Sequence, residues 1–185
     1  KMLSEKYPDP HGRECYDAGI RECRKLIRTR GVRRKNDVFT AIQTDIDNAS
    51  GLSGDPRKRE MKKILQRLEG MSDVEKQKVR YWETLSRLHA IEGLSQLGID
   101  DAEKAVSIDD TDKDAWCALR FALACSMPRD LQRQLVTCRR IIDVDPGKAT
   151  SLDYVQLGKA SLAVGEYFDA STAYKTALTV NPEEP

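Results

Sequence analysis

The side chains best suited to metal binding or nucleophilic chemistry are two histidines, His11 and His89, and five cysteines, Cys15, Cys23, Cys117, Cys125 and Cys138. His11-x-x-x-Cys15, with Cys23 eight residues on, offers three ligands to a zinc ion. A structural zinc takes four at recognisable spacing, and no fourth follows, so no metal and no cofactor is expected. His89 lies in the helical run around Trp82, where a packed or partly exposed histidine belongs rather than a catalytic one. No glycine-rich phosphate loop, nucleophile elbow or H-E-x-x-H pair occurs. The carboxylates scatter over polar faces and turns. Catalysis is therefore not expected of this chain. The cysteines are odd in number and form no C-x-x-C pair, and Cys117 and Cys125 sit eight residues apart on one helix, too far to bridge. A reducing compartment, cytoplasmic or nuclear, is the expectation.

Cations are the other candidate functional group. Arg21, Arg24, Lys25, Arg28, Arg30, Arg33, Arg34 and Lys35 form one cluster; Arg57, Lys58, Arg59, Lys62, Lys63 and Arg67 form a second. Residues 1–80 hold 20 Lys/Arg against 13 Asp/Glu, while residues 81–185 hold 11 against 17, so a net charge of +1 conceals two halves of opposite sign. The basic clusters could be a solvated face paired with the acidic half. They could equally grip an acidic protein, or a phosphate backbone or anionic surface through residues 21–67, with affinity falling as salt rises. Bases need aromatic platforms, and Tyr16 and Phe39 are the only aromatics between residues 13 and 80. The solvated face is accordingly favoured, and RNA binding is the alternative.

The elements that would hold these groups are helices. Charged residues make up 33% of the chain and aromatics 6%, which suits helices with solvated outer faces. Nothing approaches the ~18 consecutive apolar residues that span a bilayer. Residues 1–10 read as an irregular lead-in. A helix is expected from about Arg13 to Arg30, another from Asp37 to Asn48 with Val38, Phe39, Ile42 and Ile46 on one face, and a basic one from near Pro56 to Gly70 with Met61, Ile64, Leu65 and Leu68 inward. ASGLSGDP is the linker between the latter two. Ser72 and Glu75 form a capping box that opens the helix carrying Trp82, Leu85, Leu88 and Ile91. That helix ends at Gly93 or at Gly98. Asp109 to Asp114 is an acidic turn, Trp116 begins another helix, Met127-Pro128-Arg129 bends it back, and residues 130–144 close the pair.

The last stretch, 151–182, is the most legible. Tyr154, Leu157 and Gly158 open a helix continued by Leu162 and Val164; Gly165 turns the chain; Tyr167, Ala170, Tyr174, Ala177 and Leu178 make a second apolar stripe at helical spacing, stopped by Asn181-Pro182. Tyr154, Leu157, Gly158, Gly165, Tyr167, Ala170, Tyr174, Ala177, Leu178 and Pro182 fill in order the places of the 34-residue tetratricopeptide repeat, and Ser161, where an aromatic is usual, departs from it. Trp116, Leu119, Leu123, Cys138, Ile141, Ile142 and Pro146 make a degraded copy with a longer turn. Trp82, Leu85, Gly93, Gly98, Ala102, Ala105 and Val106 make another, with Asp110 in place of the proline. Over residues 79–185 the chain resembles the tetratricopeptide repeat family.

The resemblance implies an all-α solenoid, an alpha-alpha superhelix of antiparallel hairpins. Three hairpins are expected at about 79–112, 113–148 and 151–184, within a region 72–185. Residues 1–71 would be a less regular basic segment packed on the first hairpin, itself readable as a degenerate repeat in the sense that its helices pair without the small and aromatic marks. A polar capping helix is missing after NPEEP and Lys1 opens the sequence, so the chain reads as a piece of a longer repeat protein. The resemblance further implies a non-catalytic scaffold in a multiprotein assembly, taking a partner peptide or helix in the concave groove lined by the first helix of each hairpin. There the candidates are Glu83, Arg87, Cys117, Phe121, Val155, Gln156 and Lys159. The basic-patch candidates are Arg28, Arg30, Arg33, Arg34, Lys35, Arg59, Lys62, Lys63 and Arg67. Some members of the family clamp the carboxylate-rich C-terminal tail of chaperones. Glu83, Arg87, Ala118, Leu152 and Gln156 occupy the clamp positions here, so a chaperone tail is disfavoured.

Overall fold

The computed structural model describes residues 37–181. The expected helix at 13–30 lies outside them, as do His11, Cys15, Cys23, Arg28, Arg30, Arg33, Arg34, Lys35 and Pro182. The chain divides into two compact units, and the one from Ala41 onward carries the hairpins. The described residues are helical, with no strand.

In chain order the helices are α1 (Val38–Ser50), α2 (Gly54–Glu69), the single turn α3 (Asp73–Lys76), α4 (Val79–Ile91), α5 (Ser95–Ile108), α6 (Lys113–Cys125), α7 (Leu131–Val144), α8 (Ser151–Ala163) and α9 (Tyr167–Val180), with a short 3-10 turn at Pro146–Lys148. Ile42, Ile46 and Ala49 of α1 and Met61, Ile64 and Leu68 of α2 are buried at helical spacing. Arg67 ties the pair together by an ion pair to Asp45 at 2.5 Å.

The capping box forms as expected, Ser72 accepting from the Glu75 amide and Glu75 from the Ser72 amide. It caps only α3, because Lys78 turns extended (φ −81°, ψ 142°) and α4 starts afresh at Val79. No glycine or proline marks that break. Lys76 donates back to the Glu69 carbonyl at 2.7 Å, and Tyr81 in the first turn of α4 is buried, edge-on to Trp82 at 5.1 Å.

Gly93 settles the boundary left open between the two glycines. Its φ of +83° is cheap only for a residue without Cβ. Gly98 lies inside α5 for a different reason. A Cβ there would stand 3.0 Å from the Ser86 carbonyl and 3.1 Å from the Ala90 amide, so α4 and α5 approach backbone to backbone. Ser86 Oγ donates to the Gly98 carbonyl at 2.7 Å, completely buried. The third hairpin repeats the device, with Gly158 of α8 facing Tyr174 of α9. A Cβ on Gly158 would be 2.8 Å from two atoms of that ring, and Ala170, Ala173 and Ala177 complete the seam.

The middle hairpin differs. Where the other two place Ser86 with Gly98 and Gly158 with Ala170, this one places Arg120 and Gln134, and α6 and α7 meet along a shorter seam than either neighbouring pair. Gln134 fills the gap by donating to the Leu123 carbonyl in the last turn of α6 at 2.8 Å. Hairpins stack through Leu119, Ala122 and Leu123 of α6 on Ala90 of α4 and Ile99 and Ala102 of α5, and through Leu157, Ala160 and Val164 of α8 on Leu135 and Cys138 of α7.

One expectation is corrected at the end of the array. Leu162, Tyr167 and Leu178, read as part of buried stripes, are exposed, Tyr167 at 71%. Their spacing is helical, yet the side of α8 and α9 they occupy has no further helix among the described residues.

Candidate functional site

The first helices of the three hairpins, α4, α6 and α8, bring the groove candidates onto neighbouring elements. α4 and α6 pack side by side. The Arg87 guanidinium lies over the Phe121 ring at 5.5 Å and donates to Asp47 of α1 at 2.8 Å. Arg87 is thereby engaged inside the molecule, its Nε and the neighbouring Glu83 Oε1 both buried. The candidates on α4 are charged, and Arg87 is already taken up by contacts within the molecule.

Further along, α6 and α8 do not approach backbone to backbone; long side chains bridge them. Lys113 Nζ of α6 donates to Asp153 Oδ2 at 2.7 Å and to the Lys148 carbonyl at 2.8 Å. Asp153 Oδ2 also accepts from the Thr150 amide at 2.9 Å and the Thr150 hydroxyl at 2.8 Å. Arg120 Nη1 stands 3.9 Å from Asp153 Oδ1, buried and without a hydrogen-bond partner. The Asp153 side chain is only 7% exposed. Burial works against its charge, but the hydrogen bonds from Lys113 and Thr150 outweigh burial and hold its pKa below the usual value. Sequence reasoning missed this cluster. Its one local signal, Thr150 three residues before Asp153, is a capping box, whereas Lys113 lies 40 positions away.

Cys117 lies beside this cluster, half-buried, and burial pushes its thiol up to about 11 with Arg120 partly opposing. Such a thiol stays protonated near neutrality, which argues against a nucleophile. Cys138 is pushed up by burial as well. Cys117, Cys125 and Cys138 are all free. His89 Nδ1 is 2.6 Å from Asp101 Oδ2, mostly buried between α4 and α5, a structural contact. No group of three or more potential metal ligands occurs among the described residues.

On α8, Val155 and Gln156 are half-exposed and Lys159 is exposed, flanked by Leu152 and Leu162, both more than half exposed. No ion pair holds Lys159 among the described residues. Of the groove candidates these are the most accessible, an apolar strip with one cation in its middle.

The described part of the basic patch is partly neutralised. Lys63 pairs with Glu60 at 2.7 Å and Arg67 with Asp45, so the partners come from α1 and α2 and not from the acidic second half. Arg57 donates to the Ile91 carbonyl at 2.8 Å. Arg59 and Lys62 remain exposed and are held by no ion pair among the described residues.

Compared with solved structures, the chain is similar to TTC0263, described as a thermophilic TPR protein in Thermus thermophilus, with 16% identity over 76% of this chain and 75% of that one, at a TM-score of 0.53. It is also similar to the crystal structure of MamA, with 18% identity over 96% of this chain and 97% of that one, at a TM-score of 0.54. No family profile and no curated protein sequence matches it. At these identities the likeness concerns fold, and the fold is that of tetratricopeptide-type helical repeats. No described helix is long and apolar enough to cross a membrane.

Proposed function

We propose that the chain is a non-catalytic scaffold that holds a protein partner, as a peptide or helix, in the groove of α4, α6 and α8, within a larger assembly. The observation that carries this reading is the strip of α8 where exposed Leu152 and Leu162 and half-exposed Val155 share the helix with exposed Lys159. Apolar side chains in such an array are a docking face rather than a core, and a lone lysine among them adds orientation through a carboxylate of the partner. The fold supports it as well, since hairpins of this type present their first helices side by side. The absence of the carboxylate-clamp residues argues against a chaperone tail.

A salt titration tests the reading against RNA. Salt-tolerant capture of one protein, weakened by Phe121→Ala or Lys159→Ala, supports the groove. RNA affinity that collapses between low and physiological salt, and vanishes on neutralising Arg33, Arg34, Lys35, Lys62 and Lys63, overturns it in favour of the basic segment.

A further inference from the structure

A second surface lies on the edge formed by the turns between helices, away from the groove. One cavity of about 570 Å³ is walled by Arg57 and Lys58 of α2 together with Ile91, Gly93 and Leu94. A second of about 530 Å³ is walled by Leu94, Leu97, Cys125 and Met127. The two share Gly93 and Leu94 in their walls, so they adjoin along these residues as a trough in two parts. Leu94, common to both parts, and Leu97 and Met127 of the second are apolar and open to solvent, Leu97 at 50% and Met127 at 81%. The frame is fixed, because Ser95 Oγ donates to the Cys125 carbonyl at 3.0 Å and Arg57 to the Ile91 carbonyl at 2.8 Å.

Charge lines one end of the trough. Arg57 and Lys58 stand there, opposed only by Glu92 on the same rim. Exposed methionine and leucine make an adaptable apolar contact, and cations bordering it select the sign of what docks. We propose that this trough is an interaction site for a short protein segment whose apolar residues are bordered by carboxylates. It is independent of the groove on α4, α6 and α8, so both surfaces can be engaged at once.

The test uses the full chain with a fluorescein-labelled peptide, Asp-Glu-Gly-Leu-Leu-Met-Gly-Glu-Asp, and a control with lysine at every acidic position. Binding is followed by anisotropy and by methyl shifts of Met127 and Leu97. The acidic peptide is expected to bind saturably, more weakly as salt rises, and to shift both methyl signals, while the lysine peptide does neither. Lys58→Glu should weaken it at least about tenfold, and Leu97→Asp should abolish it. Both residues are exposed, so circular dichroism should be unchanged. Equal binding of the two peptides, an undiminished affinity in Leu97→Asp, or a preference for phosphatidylserine vesicles over the peptide overturns the proposal. Shifts confined to Val155 and Leu162 also overturn it, while leaving the groove reading intact.

Discussion

Ser161 sits where the repeat usually carries an aromatic. Its side chain is completely buried and its hydroxyl has no hydrogen-bond partner. A buried hydroxyl without a partner costs about 1–3 kcal/mol, so Ser161→Ala should raise the thermal midpoint; a lower midpoint would mean that the hydroxyl is satisfied. Ala170 and Ala177 are the opposite case, small because a neighbouring helix fills the space. Ala170→Leu or Ala177→Leu should overpack the α8–α9 seam and lower stability by about 1–3 kcal/mol, read from denaturant melts. These positions were legible in the sequence, since Gly158, Ala170, Tyr174 and Ala177 keep a fixed spacing that only close helix packing explains. Tyr167 and Leu178 keep the same spacing and are nevertheless exposed. Periodicity reports which residues share a face and is silent on whether that face has a partner. Thiol reactivity gives a further check. Cys125 is exposed and Cys117 half-buried with its pKa pushed up to about 11, so iodoacetamide at pH 8 should label Cys125 before Cys117 in a peptide-mapped time course.

At the scale of helices, the middle hairpin is the irregular one. Arg120 and Gln134 replace the small residues that let the other hairpins close, and the space is filled by charge. Lys113, Arg120 and Asp153 join α6 to α8 across a gap that the backbones do not bridge. Asp153→Asn leaves two partly buried cations, each 22% exposed, short of their counter-charge and should cost up to about 3 kcal/mol. Because the folded-state pKa of Asp153 lies below its unfolded value of about 3.9, its contribution is complete above that value. It is lost as pH falls through the lower folded-state value. Denaturant melts from pH 5 down to pH 2 should show a steeper loss for the native sequence than for Asp153→Asn, and parallel curves would contradict the assignment. None of this could be read from the sequence. Trp116, Leu119 and Leu123 reveal a degraded repeat, but an arginine at the helix crossing reads as one more solvated charge until α8 is seen beside it. The two-part start, with α3 capped separately from α4, was hidden for a similar reason, being held by a contact of Lys76 with Glu69 and not by a breaker residue.

For the whole molecule, the architecture gives three comparable first helices unequal roles. α4 spends Arg87 on internal contacts, α6 presents Phe121 beneath Arg87, and α8 presents open apolar surface around Lys159. The places of these residues along the first helices were legible in the repeat spacing, while their accessibility was not, because that of Arg87 depends on α1 reaching it through Asp47. The described part of the basic patch is similarly divided, with Arg67 and Lys63 paired and Arg59 and Lys62 held by no ion pair among the described residues. Partner binding should thus centre on α6 and α8. The most direct measurement places a photo-crosslinking residue at Gln156 in the groove, or at Thr172 on the exposed side of α9, in the full chain in cells. One protein, captured from Gln156 and not from Thr172, and lost when Lys159→Ala is added, is the predicted result. Equal capture from both positions, or RNA as the only crosslinked species, would contradict it.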